Sequence, residues 1–206
     1  KIVLNEDELN ISDKDSLIST IPIYNLIQCL ENFDVSKIIE KMEQIKIRSM
    51  YLFIYKFNQI ETLPIRTLIF PQKNIIFNRI FEQNKYSKET VEKQKSIIIG
   101  DVTFDINNNP FEKKDIKKIA IEEISKLSFI NLKKLESFDT KFVKFAYVVP
   151  TVETIEALRF IEKELSKIEN LYIAGRFGAG DYDNSDYALM SGYNIGNFLT
   201  EKINKD

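Results

Sequence analysis

Histidine is absent from the 206 residues. Its absence removes Ser-His and Cys-His dyads, histidine general bases and every histidine-containing metal site. Cysteine occurs once, at Cys29, so no disulfide forms within the chain and a reducing compartment is expected. Cys29 sits in an apolar helical stretch and is expected to be a buried bystander. No apolar run approaches the roughly 18 residues that a membrane helix needs, and no leader pattern is seen. A cytoplasmic protein without an integral membrane segment is therefore expected. Neither sign of charge dominates: 29 Lys and Arg face 31 Asp and Glu, which leaves no nucleic-acid surface to expect. Internal repeats and low-complexity linkers are missing as well.

Glycine is scarce but placed. Of six glycines, five fall between Gly175 and Gly196. The apolar run Leu171-Tyr172-Ile173-Ala174 before them reads as a buried strand, and a helical pattern begins near Asn184 to Asp186. Glycine permits φ > 0 and close backbone approach to a bound group. A strand, a glycine turn and a helix start hold phosphates and cofactor rings in α/β proteins. The same spacing suits a ligand-free turn, and the motif alone does not separate the two. Ala188, Gly192 and Gly196 recur every four residues, giving the last helix a small face suited to close packing on a cofactor or strand. Asn194, Asn197 and Glu201-Lys202 exclude a lipid setting for that face.

Asp181, Asp183, Ser185 and Asp186 crowd oxygen ligands together and raise a calcium-binding module as an alternative. An EF-hand loop counted from Asp181 would need glycine at its sixth position and glutamate at its twelfth, where Asp186 and Gly192 stand. The match fails, and no metal site is expected.

With 44% hydrophobic residues the chain can bury a substantial core. Periodicity predicts strands over Ile2–Leu4 and Asp15–Thr20, with a polar turn at Asn5–Glu8 between them. Pro22 opens a helix to about Glu31, followed by a helix over Val35–Gln44. Strands are predicted over Ile47–Phe57, Leu63–Phe70, Asn74–Phe81 and Ser96–Phe104. A helix from Pro110-Phe111 to Leu127, a strand over Phe138–Val149 and a helix over Thr151–Ile168 complete the order. Neighbouring strands with hairpin-length gaps argue for a largely antiparallel sheet.

Asn170-Leu171-Tyr172-Ile173-Ala174-Gly175-Arg176 and Tyr182-Asp183-Asn184-Ser185-Asp186 resemble the last cofactor-binding segment of the flavoprotein superfamily of amine oxidases, protoporphyrinogen oxidases and UDP-galactopyranose mutases. Ser19-Thr20-Ile21-Pro22 and the stretch from Phe142 to Pro150 are similar to further parts of its pattern. The resemblance implies FAD as cofactor. Gly175, Arg176, Tyr182, Asn184, Ser185 and Asp186 would line it: Arg176 toward the pyrophosphate or ribityl chain, the helix start toward the flavin pyrimidine edge. Asn184 to Asp186 also suit plain helix capping. Tyr147 and Arg79 are the candidate substrate contacts; the expected Tyr-Pro is interrupted, since Val148 follows Tyr147 and the proline comes at Pro150. No catalytic side chain is assigned. A flavin takes hydride from a C–H bond or, in the mutase branch, attacks a sugar carbon when reduced. The residues do not choose between these routes.

A dinucleotide-binding domain should open with strand, Gly-x-Gly-x-x-Gly and helix. This chain has no such motif: Gly178-Ala179-Gly180 is followed by Asp183 at the third glycine position. The expectation is therefore the carboxy-terminal part of a longer FAD-dependent protein, whose missing amino-terminal domain holds the adenosine end. The expected fold class is α/β: an α+β substrate domain with a mostly antiparallel or mixed sheet flanked by helices, plus the last strand, loop and helix of a Rossmann-like FAD-binding domain. Residues 1–20 would end the cofactor domain, 21–150 bind a small-molecule substrate such as a nucleotide sugar, and 151–206 close the cofactor domain. A sheet domain that keeps this shape without a cofactor or catalysis is the remaining alternative.

Overall fold

The computed structural model describes all residues except Lys1, Asn5, Glu6, Ile11, Asp13, Val91, Lys113, Asp181, Lys205 and Asp206; of 2–4, 7, 8 and 90 it describes the backbone alone. The chain divides into a discontinuous unit, 1–46 with 148–206, and a continuous one, 47–147.

The discontinuous unit begins with β1 (Ile2–Leu4) and β2 (Asp7–Leu9), an antiparallel pair in which Ile2 faces Leu9. Of the turn expected over Asn5–Glu8, Asn5 and Glu6 lie outside the described residues, whereas Asp7 and Glu8 are strand. Pairing with β1 overrides their weak strand preference. After β3 (Leu17–Ser19), Pro22 stands at the N-cap of α1 (Ile23–Gln28), where its missing N–H costs nothing. Ile23, Leu26 and Ile27 face inward, three and four residues apart. Cys29 falls beyond the last of them and is exposed, contrary to the sequence expectation, because α1 has ended and its inward stripe does not reach that position. Helix α2 (Ser36–Met42) buries Ile38.

The continuous unit is built on β4 (Ile47–Phe57), whose bounds match the alternation read from the sequence. It adds β5 (Thr67–Ile69), β6 (Arg79–Glu82), β7 (Ser96–Asp105), α3 (Ile116–Ser125) and β8 (Leu135–Val148). The sheet order is β5-β6-β7-β4-β8, and the β4–β7, β5–β6 and β6–β7 pairs are antiparallel. Phe53, Tyr55, Phe57, Phe77, Ile80 and Ile98 form its core together with Ala120 and Ile124 of α3. Asp115 caps α3 by accepting from the N–H groups of Lys117 at 3.0 Å and Lys118 at 3.1 Å. That cap starts the helix five residues later than Pro110-Phe111 suggested.

β5 and β6 are much shorter than the predicted strands. Pro64 has no N–H for a ladder, and the amides of Thr62 and Leu63 bind the Glu82 carboxylate instead of a strand. Phe77 is buried ahead of β6 without belonging to it.

The chain returns to the first unit with α4 (Val152–Leu165), capped by Thr151, whose hydroxyl accepts from the Thr154 N–H at 3.2 Å. α4 packs against α2, burying Ala157, Ile161 and Leu165. β9 (Leu171–Ile173) then pairs in parallel with β3. Two helices follow, the short α5 (Gly175–Ala179) and the long α6 (Ser185–Ile203). The protein is thus mixed α/β, a five-stranded sheet and a small parallel pair with flanking helices. Among the described residues no helix is long and apolar enough to cross a membrane.

Two phenols report on burial. Tyr24 donates to the Met42 carbonyl at 3.4 Å, and desolvation pushes its pKa up to about 12 from 10.0. Tyr55, fully buried, donates to the Ala120 carbonyl at 2.9 Å; desolvation first and the Glu123 charge second push it upward too. In the unfolded chain these phenols lose their protons near their ordinary value, while the folded protein keeps them. Stability is therefore expected to be full below about pH 10 and to fall as the pH climbs toward 12. Ultraviolet titration of tyrosinate checks this. Smooth, fully reversible ionisation of all nine tyrosines near pH 10, without unfolding, would contradict it.

Candidate functional site

The glycine turn is assembled at the ends of two parallel strands. The Ala174 N–H donates to the Ser19 carbonyl at 2.9 Å, so the exit of β9 lies beside the exit of β3. Gly178 lies against the same strand end: a Cβ built there would stand 2.9 Å from the Ser19 carbonyl oxygen and 3.1 Å from Ile173 Cγ2. Its lack of a side chain is what lets α5 sit on β3. Gly175 has φ of +74° and open space around a built Cβ, so glycine serves backbone conformation there and leaves that side clear. Its N–H donates to Ser191 Oγ at 3.2 Å, tying the turn to α6.

Arg176 bends back into the turn. One terminal nitrogen donates to the Asp183 carbonyl at 2.9 Å, and its guanidinium carbon lies 5.2 Å from the Tyr182 ring centroid. Tyr182 itself is largely exposed. Asn184 stands at the N-cap of α6, yet its side chain makes no capping hydrogen bond; Ser185 and Asp186 open the first turn and are exposed. The structure therefore brings Gly175, Arg176, Tyr182, Asn184, Ser185 and Asp186 around one turn. Of the oxygen cluster considered for calcium, Asp181 lies outside the described residues. Among the described residues no group of three or more Cys, Asp or Glu is arranged to hold a metal ion.

Two buried oxygens in this neighbourhood find no hydrogen-bond partner among the described residues: Ser19 Oγ and Asp183 Oδ1. Buried polar atoms are normally satisfied, and an orphan of this kind accommodates a water, an ion or a ligand group. Ser19 ends β3, and its local sequence marks only a strand junction. Its position beside Ala174 and Gly178 depends on pairing between distant segments.

α6 exposes many large apolar side chains. Tyr187, Leu189, Met190, Tyr193, Phe198 and Ile203 are exposed, Leu189 to 78%. A Cβ built at Gly192 or Gly196 meets nothing within 4 Å. Close packing on this small-residue face was expected, but no contact within the described chain supplies it. The Tyr172 and Phe198 rings, 5.9 Å apart, join α6 to β9.

The two candidate substrate residues lie in the continuous unit. Arg79 opens β6, half exposed, and its Nε donates to Asp101 Oδ2 at 2.5 Å. Its pKa is raised, first by that hydrogen bond, with smaller electrostatic contributions from Asp101, Tyr147 and Tyr86. Tyr147, near the end of β8, is thus an electrostatic neighbour of Arg79. Asp101 was not singled out in the sequence, where it is one polar residue after Gly100. The direct Arg79–Asp101 pairing in the β6–β7 register is what brings them together.

No protein-family profile and no curated protein sequence matches the chain. Among solved structures, a reduced UDP-galactopyranose mutase aligns over 86% of this chain and 39% of its own, with a TM-score of 0.69 and 23% identity. The chain shares its fold with part of that mutase. A candidate protoporphyrinogen oxidase from Exiguobacterium aligns over 90% of this chain and 41% of its own, with a TM-score of 0.65 and 15% identity. The chain thus spans about two fifths of the length of either protein. The likeness to the mutase and to the oxidase is one of fold.

Proposed function

We propose that this chain is the carboxy-terminal portion of an FAD-dependent oxidoreductase. In this reading residues 21–150 form the substrate-binding part, while 1–20 and 151–206 close the cofactor domain. The carrying observation is the junction of β3, β9, α5 and α6, where an open glycine and two unsatisfied buried oxygens, Ser19 Oγ and Asp183 Oδ1, meet an arginine and a helix start. The arginine and the helix start suit the anionic part of a cofactor, whereas Asp183 Oδ1, which only accepts, and Ser19 Oγ suit its hydroxyl or N–H groups.

When bound, FAD supplies hydride acceptance or, in its reduced form, a nucleophile. The protein's part is to bind and orient. Arg176, already braced by Asp183 and Tyr182, offers a planar fork of donors to phosphate or ribityl oxygens. The first-turn N–H groups of α6, not engaged by the Asn184 side chain, suit negative charge, worth roughly 0.3–2 kcal/mol at a helix N-terminus. The exposed apolar side chains of α6 are read as packing against the preceding cofactor-domain segment, which would grip the adenosine end. Arg79 and Tyr147 serve as contacts to a small-molecule substrate. A second reading, isomerisation of a nucleotide sugar without net oxidation, draws on Arg79, whose fork suits a phosphate.

The experiment uses the protein extended by its preceding segment. Arg176→Ala is expected to lower the fraction of protein that retains flavin through gel filtration, read from visible absorbance. Unchanged occupancy would remove Arg176 from the site. The 206 residues alone are expected to be colourless, and a stoichiometric yellow preparation of them would overturn the division between the two parts.

A further inference from the structure

Arg79 is held more firmly than a half-exposed arginine needs to be. Leu52, Asp101 and Arg79 stand in one cross-strand row of β4, β7 and β6. Asp101 is 3% exposed, and the Arg79 Nε meets it at 2.5 Å. The Asn78 N–H donates to the Asp101 carbonyl at 2.9 Å, fixing the backbone next to Arg79. Next to Asp101, Gly100 faces Phe77: a built Cβ would lie 2.8 Å from its ring. That close approach locks the register that sets Asp101 opposite Arg79. The guanidinium carbon also lies 5.7 Å from the Phe81 ring centroid.

We propose that Asp101 is a positioning residue, which grips Arg79 through Nε so that the two terminal nitrogens of the guanidinium face an oxyanion of the substrate, a phosphate or a carboxylate. This rests on the reading of Arg79 as a substrate contact and adds what makes that contact effective. A buried carboxylate takes the inner edge of the fork, and a bidentate edge remains for the ligand. The arginine is ordered before the ligand arrives, so binding does not have to order it.

The test follows the Arg79 Nε–H signal by NMR in the full chain, with uridine diphosphate as probe. The wild-type signal is expected to exchange slowly with water and to shift on addition of the probe. Asp101→Asn is expected to abolish the slow exchange and to weaken probe affinity roughly two- to tenfold, the range that ordering one long side chain costs. Asp101→Glu is expected to restore part of both, with thermal unfolding measured alongside to separate general loss of fold. If the probe leaves the wild-type Arg79 signal unmoved, the substrate reading of Arg79 fails and this inference with it. If the wild type responds and Asp101→Asn binds the probe as tightly with the same slow exchange, Arg79 stays in the site and the positioning role of Asp101 is overturned.

Discussion

Glu82→Ala is expected to lower the unfolding free energy of the continuous unit by about 3 kcal/mol or more. Glu82 is wholly buried in β6, and both its oxygens are used: the Thr62 N–H reaches Oε1 at 3.1 Å and the Leu63 N–H reaches Oε2 at 2.7 Å. Thr62 and Leu63 are buried as well, and Pro64 follows them, so no strand partner takes over the two donors. Each unsatisfied buried donor costs roughly 1–3 kcal/mol, and alanine strands two. Glutamine keeps one acceptor oxygen and should lose less than alanine. Urea unfolding monitored by tyrosine fluorescence reads the difference. An alanine variant within roughly 1 kcal/mol of the wild type would show that water or a shifted backbone satisfies those amides.

The second large effect is expected at Gly178. Valine there would drive a Cβ to 2.9 Å from the Ser19 carbonyl oxygen, a backbone atom with little room to yield. Overpacking of this kind costs typically about 1–3 kcal/mol, and it would push α5 off β3. The displacement carries Arg176 with it, so under the proposed cofactor reading the variant should lose flavin retention as well as stability. Gly192 makes the contrast: its built Cβ meets open space on α6. Gly192→Ala should stabilise the isolated chain by about 0.5–1 kcal/mol through helix propensity. Thermal unfolding of the two variants side by side checks the pair. Equal effects would mean that the close approach at Ser19 relaxes without cost.

Legibility in the sequence followed the reach of the forces involved. β4 was readable to the residue because its alternation is local, and the onset of α6 was readable from Asn184-Ser185-Asp186. The glycine turn was placed from residue type alone. The brevity of β5 was not readable, since it depends on a glutamate reaching amides 19 and 20 positions away. The Arg79–Asp101 pair was hidden for the same reason: nothing near Asp101 in the chain announces which strand will lie beside it. Cys29 was misjudged because apolar neighbours say where a helix runs, but not on which residue its inward stripe ends.

The parallel pairing of β3 with β9 bears on the order in which the molecule forms. Leu17 faces Leu171, and everything from β4 to β8 is threaded between them. An open chain of that length pays a large closure entropy before any contact rewards it. The continuous unit shortens the gap, because its first and last strands are neighbours in one sheet and the Val149 N–H donates to the Lys46 carbonyl at 2.8 Å. During synthesis the inserted sheet can mature first. Its completion then brings the ends of β3 and β9 within reach of each other, so the Gly175 turn, which depends on their pairing, is expected to form after the sheet.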